Sequence, residues 1–449
     1  MIKISPITTF EMADFLGAPR PKENVLITEI SIDTRENFGE NTCFVAIEGE
    51  RFSGNDFIKY AIAKGAKCIL SNEKMSGEVS FVTVFDTKKA LLKLASREIK
   101  NTKIIAITGS AGKTTVKEMI CSVLSQEYRV HSTYQNHNNE IGVAQTLFSI
   151  KDEDFCVVEM GMRGLGEIEL LASACSPYVG AITNCGSAHI ERLGTKENIF
   201  LAKCELLNHT TDFVLVPFEK RFQNIHYGKL RPFFIGDGGD VELGRINYDK
   251  TAITVDVIDN EQNKILRFIV PSIYKHDATN ALFAYKIGKI CGIRDENIAK
   301  GIMNFKSCNG RGSKFKIGSF EIIDDTYNAS FESSEQAVIS LASYSSIVKK
   351  YSVLIMGDMH EIGEMAKEYH EKIGHIARKY GIKQLICYGN FSKDLCKGFS
   401  GGIALDSREQ VVDTILKNVP KESVLLIKAS RKMGFEKIID GLKEKINEY

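Results

Sequence analysis

Thr108–Thr115 reads T-G-S-A-G-K-T-T, set between a β-branched run at Ile104–Ile107 and an amphipathic segment. A strand, a glycine loop and a helix in that order commit the surrounding chain to an α/β layer. Gly109 and Gly112 let the backbone turn tightly, so that consecutive N–H groups face an anion. Lys113 supplies a point charge, the following helix points its positive end inward, and Thr114 offers a hydroxyl to Mg²⁺. Ser110 and Ala111 alone separate the glycines where the usual phosphate loop has four residues. That shortening sets the chain apart from most GTPases and kinases.

One such layer does not use up the chain. Its 449 residues exceed the roughly 250–300 over which a single core grows, so two or three domains are expected. With 58 basic and 57 acidic residues the net charge is +1, and no global field favours nucleic acid or an anionic membrane. Anion recognition must therefore be local. Eleven cysteines are scattered without a C-x-x-C pair, which reads as small buried hydrophobes in a reducing cytoplasm. The start, M-I-K-I-S-P-I-T-T-F, has neither a basic lead nor a long apolar stretch, so no signal peptide is expected. Leu170–Ala188 is uncharged for 19 residues, but its serines, Pro177, Gly180 and Asn184 read as helix end, turn and buried strand rather than a membrane span.

Three blocks follow from the patterning: 1–85, 86–311 and 312–449. The first alternates short strands and helices, with a helix at Asp56–Lys64 and a strand at Lys67–Leu70. The second opens with a helical run, Thr87–Glu98, that leads into the strand before the loop. Beyond it, Val116, Met119, Ile120, Val123 and Leu124 share one helix face. Phe155–Val158 and Tyr178–Thr183 read as central parallel strands. Period-2 stretches around Ile246–Val257 and Lys264–Val270 predict an antiparallel excursion before a helix at Thr279–Ile290. In the third block, strands at Phe320–Ile323, Ser352–Met356, Gln384–Tyr388 and Val424–Ile427 alternate with helices. The clearest of those helices places Met365, Tyr369, Ile373, Ile376 and Tyr380 on one stripe. The fold class is α/β: a small N-terminal domain, a central sheet carrying the phosphate loop, and a C-terminal Rossmann-like domain.

Candidate chemistry gathers at strand ends. Glu159 closes Phe155–Val158 and stands where Mg²⁺ needs a hard oxygen ligand. His189 follows the next strand, and is either a metal or phosphate group or a satisfied structural histidine. Lys203, in L-A-K-C-E, is by default a solvated lysine. As a carbamate it would be an oxygen ligand for a second Mg²⁺, which first requires the neutral amine, at a cost of about 4–5 kcal/mol from an ordinary lysine at pH 7. Asp324 and Asp325 could bind ribose hydroxyls or metal, or simply start a turn. Arg311, Tyr327 and Asn328 flank them. Lys428, Ser430 and Arg431 offer cations and a hydroxyl to an anionic substrate, or form a solvated charge run.

Together these residues resemble the Mur ligase superfamily, ATP-dependent ligases of peptidoglycan precursor synthesis, over nearly the whole chain. The short loop is similar to that family's, and Glu159-Met-Gly, Asn184–His189 and Ala202–Glu205 appear in the family's order. Asn136–Gly142 (N-H-N-N-E-I-G), His276–Asn280 and Asp324–Ala329 look most like the branch that adds D-alanyl-D-alanine. The D-[ND]-P-[RA] tetrapeptide usual where a diamino acid is added is missing. Ser31–Arg35 and Glu48–Phe57 look like its uridine-nucleotide-binding portion. The chain departs from the commoner family pattern at Thr34, Ala144, Ser330–Phe331 and Ala429.

The resemblance implies a cytoplasmic, monomeric ligase. It would join D-Ala-D-Ala to the terminal carboxylate of UDP-MurNAc-tripeptide through an acyl phosphate, with ATP and two Mg²⁺ ions. It implies that Gly109, Ser110, Ala111, Gly112, Lys113, Thr114 and Thr115 hold the ATP phosphates with Arg311, and that Asn280 and Asp325 contact the adenosine. Thr114 and Glu159 would hold one Mg²⁺, and His189 and a carbamylated Lys203 the other. Lys113, Glu159, His189 and Lys203 would be catalytic. Substrate contacts fall to Thr34, Arg35, Asn136, Asn138, Asn139, Tyr327, Asn328, Lys428, Ser430 and Arg431. The last domain would close over the site and exclude water.

Overall fold

Continuous apolar runs become inner strands here, and each run's flanking glycines and acids become the loops that face a common cleft. The computed structural model describes residues 1–49, 52–74, 77–186 and 190–447. Its first sheet is β1 (Ile2–Thr8), β2 (Leu26–Ser31), β3 (Thr42–Val45), β4 (Cys68–Ser71) and β5 (Ser80–Thr83), in that spatial order. β1 runs antiparallel to β2 and the other pairs are parallel.

The central sheet comprises β6 (Lys103–Thr108), β7 (Val130–Ser132), β8 (Phe155–Glu159), β9 (Val179–Ile182), β10 (Phe213–Pro217), β11 (Arg231–Ile235), β12 (Val241–Tyr248), β13 (Ile253–Asp259) and β14 (Lys264–Val270). Its order is β14-β13-β12-β11-β10-β9-β6-β8-β7. β6 therefore lies between β8 on one side and β9 on the other, all parallel. A chain that leaves β6 in one direction and returns on its other flank opens a crevice at the strands' carboxyl ends. The loops after β6, β8 and β9 meet there.

The third sheet is β15 (Ser313–Ile317), β16 (Phe320–Asp325), β17 (Ser352–Met356), β18 (Gln384–Tyr388), β19 (Ile403–Leu405) and β20 (Val424–Lys428), ordered β15-β16-β20-β17-β18-β19. Only β15 is antiparallel. Three α/β domains in series are the architecture. All eleven cysteines are free. Among the described residues no helix is long and apolar enough to cross a membrane.

The helix after the phosphate loop, Lys113–Leu124, buries Val116, Met119, Ile120, Val123 and Leu124. They pack against Ile105, Ile107 and Val157 of the sheet and against the helix Lys275–Ile290. At about 1.5–3 kcal/mol for each buried side chain, this face holds the loop's helix rigidly to the sheet. The neighbouring helix Asp295–Met303 comes close because Gly301 has no side chain: a Cβ there would lie 2.5 Å from the Val123 Cα.

One expectation needs correction, and the sheets add detail to the others. The antiparallel excursion expected around Ile246–Val257 and Lys264–Val270 is β12, β13 and β14, the first stretch running from the end of β12 into β13 through a turn in which Asp249 N–H donates to the Ala252 carbonyl. β7 and β19, only three residues each and half exposed, have no apolar run to announce them. The helix Ala366–Lys379 buries Ala366, His370, Ile373, Gly374 and Ala377, while Met365 and Tyr380 of the expected stripe are exposed. Its partner helix, Ser392–Phe399, crosses so closely that a Cβ on Gly374 would lie 2.2 Å from the Leu395 carbonyl oxygen. Small residues make that seam, so counting large apolar ones points to the wrong face.

Candidate active site

Gly109 and Gly112 hold φ of +156° and +79°, which only glycine adopts cheaply. A Cβ on Gly109 would also fall 1.9 Å from Thr183 Oγ1. The loop after β9 braces the cradle from beneath. Ala111 N–H donates to Asn184 Oδ1 (3.0 Å), and the Ala111 carbonyl accepts from Asn184 Nδ2 (2.9 Å) and Thr183 Oγ1 (2.6 Å). Ser110 N–H donates to the Asn184 carbonyl, and Gly186 N–H to Ser110 Oγ. Among the described residues no side chain caps the helix that starts at Lys113, which leaves its first-turn N–H groups for an anion.

Lys113 Nζ donates to the Gly109 carbonyl at 2.8 Å. Burial draws its pKa below the usual lysine range and nearby Arg311 adds to this, while Glu159 opposes both. An anion in the cradle would relieve that strain between cations.

Behind the loop, Thr114 Oγ1 donates to Glu159 Oε2 at 2.6 Å, with both side chains buried. The other carboxylate oxygen, Oε1, accepts from Asn138 Nδ2 at 2.7 Å, and Glu159 N–H donates to Thr133 Oγ1 at 3.0 Å. A hydroxyl and a carboxylate beside a phosphate cradle are a donor set suited to a hard divalent cation. No group of three or more His, Cys, Asp and Glu gathers among the described residues, so phosphate and water oxygens would complete the shell.

Lys203, on the helix Lys196–Cys204, is not solvated as a lone lysine would be: 1% of it is exposed. Burial first, and then the charge of Lys113, push its pKa down to about 7. Near neutrality the amine is thus available uncharged. His189 lies outside the described residues.

The phosphate loop and Glu159 open into a cleft of about 1390 Å³, with Thr114 and Lys203 buried behind its lining. The central domain lines it with Ser110–Lys113, Thr115, Asn136, Asn138, Asn139, Glu159 and Asn280. Lys88 and Arg311 add to that lining, Asp325, Tyr327, Asn328 and Lys428 face it from the C-terminal domain, and Phe52 from the N-terminal domain. Asn280 sits against the loop: a Cβ on Gly112 would lie 2.9 Å from its Oδ1. Its Nδ2 donates to Asp277, which Ser272 Oγ holds in turn. Arg311 stacks on the Tyr327 ring at 3.7 Å. Lys428, buried, donates to Asp325 Oδ2 (2.7 Å) and to the Asn328 carbonyl (2.9 Å).

The paired aspartates have separate work. Asp324 accepts from Gly310 N–H and from the Thr326 N–H and hydroxyl, so it shapes the turn. Asp325 faces the cleft. Ser430 and Arg431 do not line it. The Ser430 hydroxyl accepts from His360 N–H at 2.8 Å and meets the Ala329 carbonyl at 3.3 Å, latching two loops together, and Arg431 is exposed beside Glu436. Thr34 and Arg35 are also outside the cleft, on a turn where Asp33 grips the Arg35 guanidinium.

Sequence reasoning gave no role to Asn184, although its place after a strand was the available signal. Glu332, Ser333 and Gln336, at the start of the helix Phe331–Val348, also line the cleft and carry no motif.

Three family models match the chain: the Mur ligase family catalytic domain at residues 26–106, the Mur ligase middle domain at 107–288, and the Mur ligase glutamate ligase domain at 310–431. The UDP-N-acetylmuramoyl-tripeptide--D-alanyl-D-alanine ligase of Bacillus subtilis is 31% identical over 99% of both chains. The protein of that name from Haemophilus influenzae is 30% identical over 99% of this chain and 100% of its own. Among solved structures, MurF from Acinetobacter baumannii superposes with a TM-score of 0.89 at 26% identity, covering 99% of this chain and 100% of that one. MurF ligase from Thermotoga maritima, in complex with ADP, gives 0.85 at 24% identity, over 94% and 98% of the two chains, which is a likeness of fold.

Proposed function

The chain belongs to the Mur ligase family, and from that premise we propose that it joins D-Ala-D-Ala to UDP-MurNAc-tripeptide at the expense of ATP. A carboxylate oxygen of the tripeptide attacks the γ-phosphorus of ATP, and the bond to the β-phosphate oxygen breaks to release ADP. The amine of D-Ala-D-Ala then attacks the acyl phosphate's carbonyl carbon and gives up a proton. Phosphate leaves with the original carboxylate oxygen as the amide forms.

Bringing a carboxylate to a triphosphate is the electrostatic problem, and the site is built for it. Lys113 and the N–H groups of the first helical turn take the phosphate charge, with Arg311 nearby. Thr114 and Glu159 would hold one Mg²⁺, which when bound screens charge between the two anions. Lys203 as a carbamate, with His189, would hold a second. Burial supports this reading, because it removes most of the about 4–5 kcal/mol needed to neutralise an ordinary lysine. Carbamylation also turns repulsion between Lys203 and Lys113 into attraction.

Asn280 and Asp325 fit the adenosine. Asn136, Asn138 and Asn139 face the UDP-linked substrate, and Tyr327, Asn328 and Lys428 the dipeptide. Thr34 and Arg35, away from the cleft, fit only a distal nucleotide end. Ser430 acts through the loops it latches. The functional units run 1–85, 86–311 and 312–449, in a cytoplasmic enzyme that works as a monomer.

The observation that carries this reading is the Thr114–Glu159 pair directly beneath the cradle, with the buried Lys203 within electrostatic reach of Lys113. Phosphate release in ATP, Mg²⁺ and UDP-MurNAc-tripeptide, with a panel of amines, tests it. Release with D-Ala-D-Ala is expected. Release with D-Glu or a diamino acid and not with D-Ala-D-Ala would assign a different ligase, and no release with any amine would point to a nucleotide-gated binding protein.

A further inference from the structure

Lys117 lies one turn beyond the phosphate loop, and none of it is exposed. An ammonium has three N–H donors, and here each meets an oxygen: the Thr133 carbonyl at 2.6 Å, the Gln135 carbonyl at 3.0 Å and Glu118 Oε1 at 2.9 Å. A buried charge is a poor way to fill space, since a methionine of similar volume fills it without the desolvation cost. What the lysine does supply is a clamp on two carbonyls of one loop. Between them Gln135 is held at φ +48°, a left-handed conformation that non-glycine residues rarely take.

That loop carries Asn136, His137, Asn138 and Asn139 into the cleft. Its first residue, Thr133, receives Glu159 N–H, and Asn138 donates to the Glu159 carboxylate. We infer that Lys117 is a positioning residue. It fixes the 133–139 loop to the phosphate-loop helix, so that binding of the UDP-linked substrate and orientation of Glu159 are set from one rigid element. The inference rests on the ligase reading for the identity of that substrate.

The test is Lys117→Met in the full-length enzyme. KM for UDP-MurNAc-tripeptide should rise at least tenfold, while Kd for ADP without substrate stays within twofold. Adding Gln135→Gly, which accepts φ +48° without strain, should recover threefold or more of that loss. A KM within twofold of wild type, parallel losses in KM and ADP affinity, or no recovery in the double variant would each overturn the proposal. Should Lys117→Met fail to fold, Gln135→Val opposes the same conformation from an exposed position and should give the same split between KM and ADP binding. Equal constants would contradict the proposal. Hydrogen exchange reads the loop without turnover: amides of 133–139 should exchange at least tenfold faster in Lys117→Met, with residues 113–124 unchanged, and unchanged loop exchange counts against the clamp. A wild-type enzyme inactive on UDP-MurNAc-tripeptide would sink the ligase reading but leave this last comparison intact.

Discussion

The Thr114 hydroxyl and the Glu159 carboxylate meet at 2.6 Å, joining the first turn after the phosphate loop to the end of β8. They lie 45 residues apart in sequence, and the parallel pairing of β6 with β8 brings them together. The same oxygens are those that a cation beside bound phosphates would need.

Glu159→Gln keeps the shape of the side chain, removes its charge and replaces one of its two accepting oxygens with an NH2 donor. Turnover at fixed Mg²⁺ should fall by about 100-fold or more, a metal ligand mattering at least as much as the outer partners that cost 10–100-fold. Raising Mg²⁺ should recover part of it. Thermal unfolding should move by only a few degrees. Full activity at ordinary Mg²⁺ would remove the cation from this pair.

Lys203→Ala should be inactive and should regain turnover when short-chain carboxylic acids supply the missing oxygens. Wild-type enzyme in carbon-dioxide-depleted buffer should lose activity and recover it with bicarbonate. Undiminished activity of the alanine variant would exclude the carbamate. A bicarbonate-insensitive wild type would make Lys203 act as an amine.

His370 is buried between two loops of the C-terminal domain. Its Nε2 accepts from Met359 N–H at 2.9 Å, and its Nδ1 lies 2.6 Å from the Ala366 carbonyl. Only the neutral ring serves both partners. Burial lowers its pKa, against the pull of Asp358 and Asp394, and His360 adds a smaller push downward. The folded state thus binds this proton less tightly than the unfolded chain, whose histidine titrates near about 6.5. Stability from this group is complete above that pH and is lost as pH falls from there through the folded pKa. The Tm of wild type should drop more steeply between pH 7 and 5 than that of His370→Gln; parallel curves would contradict this account.

What could be read from the sequence divides along physical lines. Lys113, Thr114 and Glu159 were legible because a strand, a tight loop and a helix fix their directions locally. The buried face from Val116 to Leu124 was legible because large apolar residues mark it. Arg35 and Arg431 illustrate the opposite case: resemblance places a residue near a site but does not say that Asp33, two positions away, will hold the Arg35 guanidinium. Lys117 looks like a surface lysine on a helix until the 133–139 loop folds over it, a contact 16–18 residues away in sequence. Asn184 is similar, since its partners on the phosphate loop lie 73 residues upstream. The Ala366–Lys379 helix misleads because glycines, not large side chains, make its seam.

The most direct measurement follows oxygen. UDP-MurNAc-tripeptide labelled with ¹⁸O in its terminal carboxylate is incubated with ATP, Mg²⁺ and D-Ala-D-Ala, and the products are weighed by mass spectrometry. The acyl-phosphate route predicts UDP-MurNAc-pentapeptide with one ¹⁸O delivered to inorganic phosphate for each amide formed. Unlabelled phosphate, label in AMP, or phosphate released without pentapeptide would contradict it.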